Sequence, residues 1–177
     1  MRYLIALIFL CATAANAQEG DVVSDQLFSF EAGIVCAPET IGTSPATNTV
    51  AGVTNAIEED PPFVSLTRRV PAVLGFGFGI KAMAMDANGI APVTMTITHP
   101  AMTQTKTTQQ SFDTLISGID PSLTFYQFDF AYELLPGRWV MEATQGDTVL
   151  YRAAFQVVAP NKVPELASVC GFAELLS

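Results

Sequence analysis

The tightest constraint on this chain is the stretch over residues 125–158, FYQFDFAYELLPGRWVMEATQGDTVLYRAAFQVV, where large apolar side chains recur at every second position. A strand turns successive side chains to opposite faces, so period two marks half-buried β-structure rather than helix. Tyr126, Phe128, Phe130, Tyr132 and Leu134 share one face, with Gln127, Asp129 and Glu133 on the other. Trp139, Met141 and Ala143 repeat the pattern opposite Arg138, Glu142 and Thr144, and Val149, Tyr151, Ala153, Phe155 and Val157 repeat it again. The spacing predicts three strands, joined at Leu135-Pro136-Gly137-Arg138 and at Gln145-Gly146-Asp147.

Proline followed by glycine at the first turn is type II chemistry, because glycine accepts the positive φ that turn requires. Read as a hairpin, it pairs Leu134 with Trp139, Tyr132 with Met141 and Phe130 with Ala143. A three-residue loop at the second turn pairs Ala143 with Val149, Met141 with Tyr151 and Trp139 with Ala153. Every pair joins two inward residues, and a slip of one residue would reverse each face. Glu142 then lies diagonally across from Arg152 on the outer face. Type II turns are not the favoured hairpin connection, which leaves a second role open for the first turn: passing the chain between two sheets.

Upstream, Phe28, Phe30, Ile34 and Cys36 alternate with Ser29, Glu31 and Val35 in a first strand. Residues 37–60 break the pattern with Pro38, Gly42, Pro45 and scattered threonines, and predict a long loop insertion. Val50, Val53 and Ile57 stand at helical spacing inside it, ahead of Pro61-Pro62. Residues 63–67 suit a short strand. Residues 74–80 place Leu74, Phe76, Phe78 and Ile80 opposite Gly75, Gly77 and Gly79, so something packs very close to the glycine face. The larger side chains then move to odd positions over residues 82–85, the mark of a β-bulge. Val93, Met95 and Ile97 form another strand, closed by His99-Pro100, and residues 111–116 one more. Residues 165–169 read as a short helical segment. At least seven short strands with regular turn signals predict a mostly β fold, an immunoglobulin-like antiparallel β-sandwich, with a small barrel as the alternative.

The compartment follows from the N-terminus and the cysteines. One positive charge, an apolar run over residues 4–15 and Ala15-Asn16-Ala17 read as a cleaved signal peptide, residues 1–17. Residues 18–177 are then a single exported domain, periplasmic or secreted, with no membrane span after cleavage. Cys11 lies inside the signal, so Cys36 and Cys170 remain, and two cysteines in an exported chain most simply form one disulfide. That bond ties the tail, residues 159–177, back to the first strand. Cleavage also removes Arg2 and takes the net charge from −9 to −10, which argues against nucleic acid or an anionic membrane surface as partner.

Candidate chemistry is sparse. His99 is the one histidine, so any Ser-His-Asp or Cys-His arrangement must use it, and Gly-x-Ser-x-Gly is absent. A strand-end ring bonded to a neighbouring carbonyl accounts for His99 better than catalysis does. Neither Cys-x-x-Cys nor His-x-x-x-His occurs. Glu58-Glu59-Asp60 is the one acidic cluster and lacks the spaced oxygen ligands of a calcium loop. Asp129 and Glu133, read on one strand face, stand roughly 13 Å apart, too far for a glycosidase pair. The aromatics over residues 125–139 fit core packing better than a sugar platform. No catalytic, cofactor-binding or metal residue is assigned.

Several motifs nevertheless occur together: Val70-Pro71-Ala72 with Leu74-Gly75, Phe78-Gly79-Ile80, His99-Pro100, Phe125-Tyr126-x-Phe128-Asp129, Tyr132-Glu133-Leu134, Pro136-Gly137-x-Trp139 and Phe155-x-Val157-Val158. In this order they resemble a bacterial exported family of domains of unknown function, over about residues 63–158. The resemblance implies an immunoglobulin-like fold and carries over no catalytic residue. The expected role is a non-catalytic module that binds another envelope or extracellular protein, through sheet edges or through residues 37–60 and 101–110. The alternative is a carrier holding a small apolar ligand between the sheets, motivated by a hydrophobic content of 50%.

Overall fold

Alternating side chains fold into two antiparallel sheets that share one apolar interior. The computed structural model describes residues 20–167, 169 and 170, so the expected signal peptide, residues 1–17, lies outside the described residues. In chain order the strands are β1 (Val22–Val23), β2 (Leu27–Cys36), β3 (Thr40–Pro45), β4 (Val53–Ile57), β5 (Arg69–Pro71) and β6 (Phe76–Ala84). They continue with β7 (Ile90–Thr98), β8 (Gln109–Ile116), β9 (Ser122–Gln127), β10 (Gly137–Gln145) and β11 (Thr148–Val158). One sheet has the order β1-β11-β10-β7-β8, with β5 lying parallel to the end of β11; the other is β2-β6-β9. The chain therefore changes sheet between β1 and β2, β5 and β6, β6 and β7, β8 and β9, and β9 and β10. That interleaving is the habit of immunoglobulin-like sandwiches, and the fold is of this mostly β class. A single helical turn, α1 (Pro164–Ala167), lies at the end predicted for the C-terminal segment.

Phe78 occupies the middle of the interior. Its ring packs against Tyr126 and Phe128 of its own side and against Trp139 and Phe155 of the facing sheet, at centroid distances of 6.0, 5.9, 5.8 and 4.6 Å. Phe76, Ile80, Met95, Ile97 and Met141 fill the layers around it, all buried. The glycines that alternate with this apolar row are required by the opposite face. A Cβ at Gly79 would stand 2.5 Å from the Cβ of Phe125 and 2.6 Å from the Thr124 carbonyl oxygen, on the neighbouring β9. At Gly33 of β2, a Cβ would meet the Ser65 carbonyl oxygen at 2.6 Å, because residues 63–65 cover that face. The expected strand over residues 63–67 is reduced to this bridge, Ser65 to Ile34.

Other expectations are corrected. Residues 125–134 are not one strand: β9 ends at Gln127 and pairs with β6, not with β10. The Pro136-Gly137 turn carries the chain between sheets, and Met141 lies between Ile97 of β7 and Ala153 of β11. A 3-10 turn over Ala131–Glu133 replaces the end of the predicted strand; it leaves Phe130 exposed and stacked on Tyr132, and it buries Glu133. In the β10–β11 hairpin Trp139 pairs with Phe155 and Ala143 with Tyr151, two positions from the expected partners. A tighter turn at Gly146-Asp147 and a bulge at Ala143/Thr144 absorb the difference. The shift is even, so the inward face survives, while the bulge buries Leu150 in place of Val149. Glu142 sits directly opposite Arg152 and pairs with it. The bulge expected over residues 82–85 exists at that level, but the extra residue is Phe28 of β2.

The largest correction concerns residues 37–60. They are neither a structureless loop nor a helix but the hairpin β3–β4, closed over residues 46–52 by Gly52 in a positive-φ conformation and by the Thr49 hydroxyl donating to the Ala46 carbonyl. Both flanks are pinned. The Cys36–Cys170 disulfide, with Cα atoms 5.5 Å apart, fixes the start of the excursion, and Asp60 binds β9 at its end. Among the described residues no helix is long and apolar enough to cross a membrane.

Gly79→Ala is expected to lower the free energy of unfolding by about 1–3 kcal/mol, since the new methyl meets backbone rather than a movable side-chain tip. Gly42→Ala, where nothing lies within 4 Å, is the control and should stay within about 0.5 kcal/mol of the parent. Urea denaturation of the three proteins checks both.

Candidate functional site

On one side of the sandwich the outer edges of β8 and β9 come together, and the β3–β4 hairpin lies across the opening. Between them is a cleft of about 640 Å³. Among the described residues four bonds hold the hairpin and its C-terminal flank. The Ser111 N–H donates to the Asn48 carbonyl at 3.2 Å, and the Val50 N–H to Gln110 Oε1 at 2.7 Å. The Leu123 N–H donates to Asp60 Oδ2 at 2.9 Å, and Asn55 Nδ2 to Asp129 Oδ2 at 2.8 Å. The last two tie the ends of β9 to the β4 arm through side chains. No backbone ladder joins β4 to β9.

The floor of the cleft is a buried polar chain that crosses both sheets. Its sense is fixed by the groups at its ends. His99 lies against Trp139, with ring centroids 4.9 Å apart, and its Nδ1 is 2.8 Å from the Pro100 carbonyl oxygen, which only accepts. Nδ1 therefore carries the proton, and Nε2 accepts from the Gln110 amide at 3.2 Å. The same amide nitrogen donates to the Tyr126 hydroxyl at 3.2 Å, and that hydroxyl donates to Glu133 Oε1 at 2.7 Å. Glu133 Oε2 accepts the N–H groups of Asp129 and Phe130 at 2.7 and 2.8 Å, the reach-back of a capping glutamate. The Trp139 indole N–H donates to the Leu135 carbonyl at 3.0 Å, which holds the crossover from behind.

Burial sets the protonation of this chain. Desolvation lowers the pKa of His99 below its usual value of 6.5, against the opposing bond to Pro100, so the ring is neutral in the arrangement described. Desolvation raises Glu133, opposed by its bonds from Tyr126, Phe130 and Asp129. Tyr126 is driven far up, first by desolvation and then by the neighbouring Glu133 charge, so it serves only as a phenol.

The expectation for His99, a strand-end ring bonded to a carbonyl, matches its geometry, and both of its nitrogens are engaged. Asp129 and Glu133 do not share a strand face: Asp129 is at the surface bonding Asn55 and Gln127, and Glu133 turns into the interior. Glu58-Glu59-Asp60 contributes Asp60 to the cleft, and among the described residues no group of metal-ligating side chains occurs. Of the two expected binding segments, residues 37–60 form the cleft roof; residues 101–110 supply only Gln110, and Met102 anchors the rest onto the core. Gln110 was invisible as a site residue because nothing local marks it. The Glu133 capping role carried no such mark either, since Phe130, three residues before it, is not a capping residue type.

A family model described as a domain of unknown function (DUF3859) matches residues 24–157. The crystal structure of an immunoglobulin-like protein (PA1606) from Pseudomonas aeruginosa is 21% identical, with a TM-score of 0.49, over 81% of this chain and 100% of that one. No curated protein matches.

Protonating His99 would set its Nε2–H against the Gln110 amide donors. Because its folded pKa is depressed, the stability tied to the neutral ring is fully present above about pH 6.5 and is lost as pH falls through the folded value. Glu133, with a raised pKa, acts in the opposite sense: the cost of its buried carboxylate is relieved on going down towards about pH 4.5. Urea unfolding of the parent and of His99→Gln at pH 7.5, 6.5 and 5.5 separates the two. The parent should lose stability more steeply over that range than the variant.

Proposed function

The chain belongs to this DUF3859 family of domains of unknown function, and we propose that it is an exported, non-catalytic protein-binding module whose cleft receives part of another envelope or extracellular protein. The observation that carries this reading is the cleft itself: two sheet edges, β8 and β9, open into it beneath a hairpin whose ties to β9 pass through side chains. An exposed strand edge is a template for pairing with another chain, and peptide recognition commonly exploits it. The disulfide and the leader-like residues 1–17 support an oxidising, exported setting. The polar floor supports a binding role over catalysis, since Glu133 accepts three bonds and both nitrogens of His99 are committed.

Photo-crosslinking in the producing cell tests this. With p-benzoylphenylalanine at Thr43, on the roof, a discrete protein adduct is expected; at Asp147, on the distant β10–β11 turn, none is expected. Equal labelling from both positions, or none from Thr43, overturns the proposal.

A second reading is favoured by one quantity. A space of 640 Å³ with Ile57, Ile97, Phe112 and Phe125 among its lining is the size of a small-molecule site. A carrier would use this side cleft, because Phe78 and its aromatic neighbours occupy the space between the sheets. Native mass spectrometry of the protein from its own host would then show an added mass that vanishes on denaturation.

A further inference from the structure

We propose that the cleft takes an extended peptide segment bearing lysine or arginine, inserted as an additional strand between β9 and β4. This inference rests on the protein-binding reading and specifies what is bound and how.

The first support is the phase of β9. In an antiparallel pair, alternate residues turn their backbone N–H and C=O groups towards the partner strand and the others turn away. The Phe128 N–H bonds the Phe76 carbonyl of β6, so even-numbered positions face β6, while the Leu123 N–H points the other way, to Asp60. Phe125 and Gln127 share the phase of Leu123, and their backbone groups face the cleft. These are the groups an added strand pairs with.

The second support is the way the roof is attached. Residues 55 and 60 of the hairpin arm are tied to residues 129 and 123, so this arm runs antiparallel to β9. Both ties pass through a side chain, Asn55 to Asp129 and Asp60 to Leu123, and so reach further than a backbone ladder. β4 thus follows β9 without pairing to it, and the cleft lies between them. The stretch of β9 edge between the two ties has no ladder partner among the described strands.

The third support is charge. Asp60, Asp113, Asp129 and Glu133 are among the lining residues, and among the described residues no lysine or arginine joins them. Asp113 and Asp60 are exposed, and an acidic, partly apolar slot is complementary to a strand that alternates basic with apolar side chains. In such a strand successive side chains fall on opposite sides, so the apolar set meets Phe112 and Ile57 while the basic set reaches the carboxylates.

The test uses the purified full chain with its disulfide intact and a fluorescein-labelled ten-residue peptide alternating lysine and valine. Its counterparts carry glutamate for lysine, or N-methyl groups on alternate amides in either phase. By fluorescence anisotropy the lysine peptide should bind at least ~10-fold more tightly than the glutamate peptide, and N-methylation in one phase should abolish binding. Asp113→Asn should weaken binding about 2- to 5-fold, while Asp147→Asn, which removes the same charge far from the cleft, should not change it. Equal weakening by the two variants would reduce the effect to overall negative charge and overturn the inference. So would indifference to N-methylation, or equal binding of the glutamate peptide. If Thr43 crosslinks a partner while the lysine peptide shows no preference, this inference fails alone; if neither is seen, the protein-binding reading fails with it.

Discussion

The structure depends on how closely β6 and β9 lie at Gly77 and Gly79. Phe78 reaches both Trp139 and Phe155 from the centre of the small sheet. The residues on either side of it lack side chains, so β9 lies against their bare backbone. A bulky residue at either position would push β9 away, and with it Tyr126 and Phe128, which complete the ring cluster. Aromatic packing inside and bare backbone outside are therefore two sides of one requirement. β9 also supplies Tyr126 to the polar chain and its outer edge to the cleft.

The polar chain from His99 to Glu133 binds parts of the molecule that apolar contact leaves separate. Its members come from the end of β7, the start of β8, the end of β9 and the crossover to β10, and through Gln110 it reaches the hairpin at Val50. Each donor meets an acceptor, with donation running outward from the Gln110 amide towards His99 on one side and towards Tyr126 and Glu133 on the other, a condition under which a buried network specifies a single arrangement. Reversing the Gln110 amide to suit a protonated His99 would face its nitrogen with the Val50 N–H. The state of one imidazole is thereby coupled to how the roof is held.

Much of the fold was legible because period-two alternation reports directly on which face is buried. It placed Val93, Met95, Ile97, Trp139, Met141, Phe155 and Val157 in the core, and the Gly77–Gly79 face beside a close neighbour. It failed where apolar spacing continued past the end of a strand: residues 130–134 alternate as a strand would, yet bury a glutamate through a 3-10 turn. Which strand pairs with which is a non-local matter, so β9 was assigned to β10 when it belongs beside β6. The β3–β4 hairpin escaped for a different reason. β3 is exposed along its whole length, so nothing in its sequence alternates between water and core. The cleft escaped with it, since its roof is that hairpin and its floor joins residues far apart in the chain.

The disulfide has a mechanical meaning as well as a thermodynamic one. Cys36 ends β2 and Cys170 lies beyond α1, so every strand from β3 to β11, the hairpin and the cleft sit inside one covalent loop of sequence separation 134. Tension applied between residue 20 and a point beyond residue 170 runs along β1 and β2, through the sulfur bridge and out. Pulling would strip those two strands from the body before it stretched anything within the loop. While the bridge is oxidised, the cleft lies off the line of force.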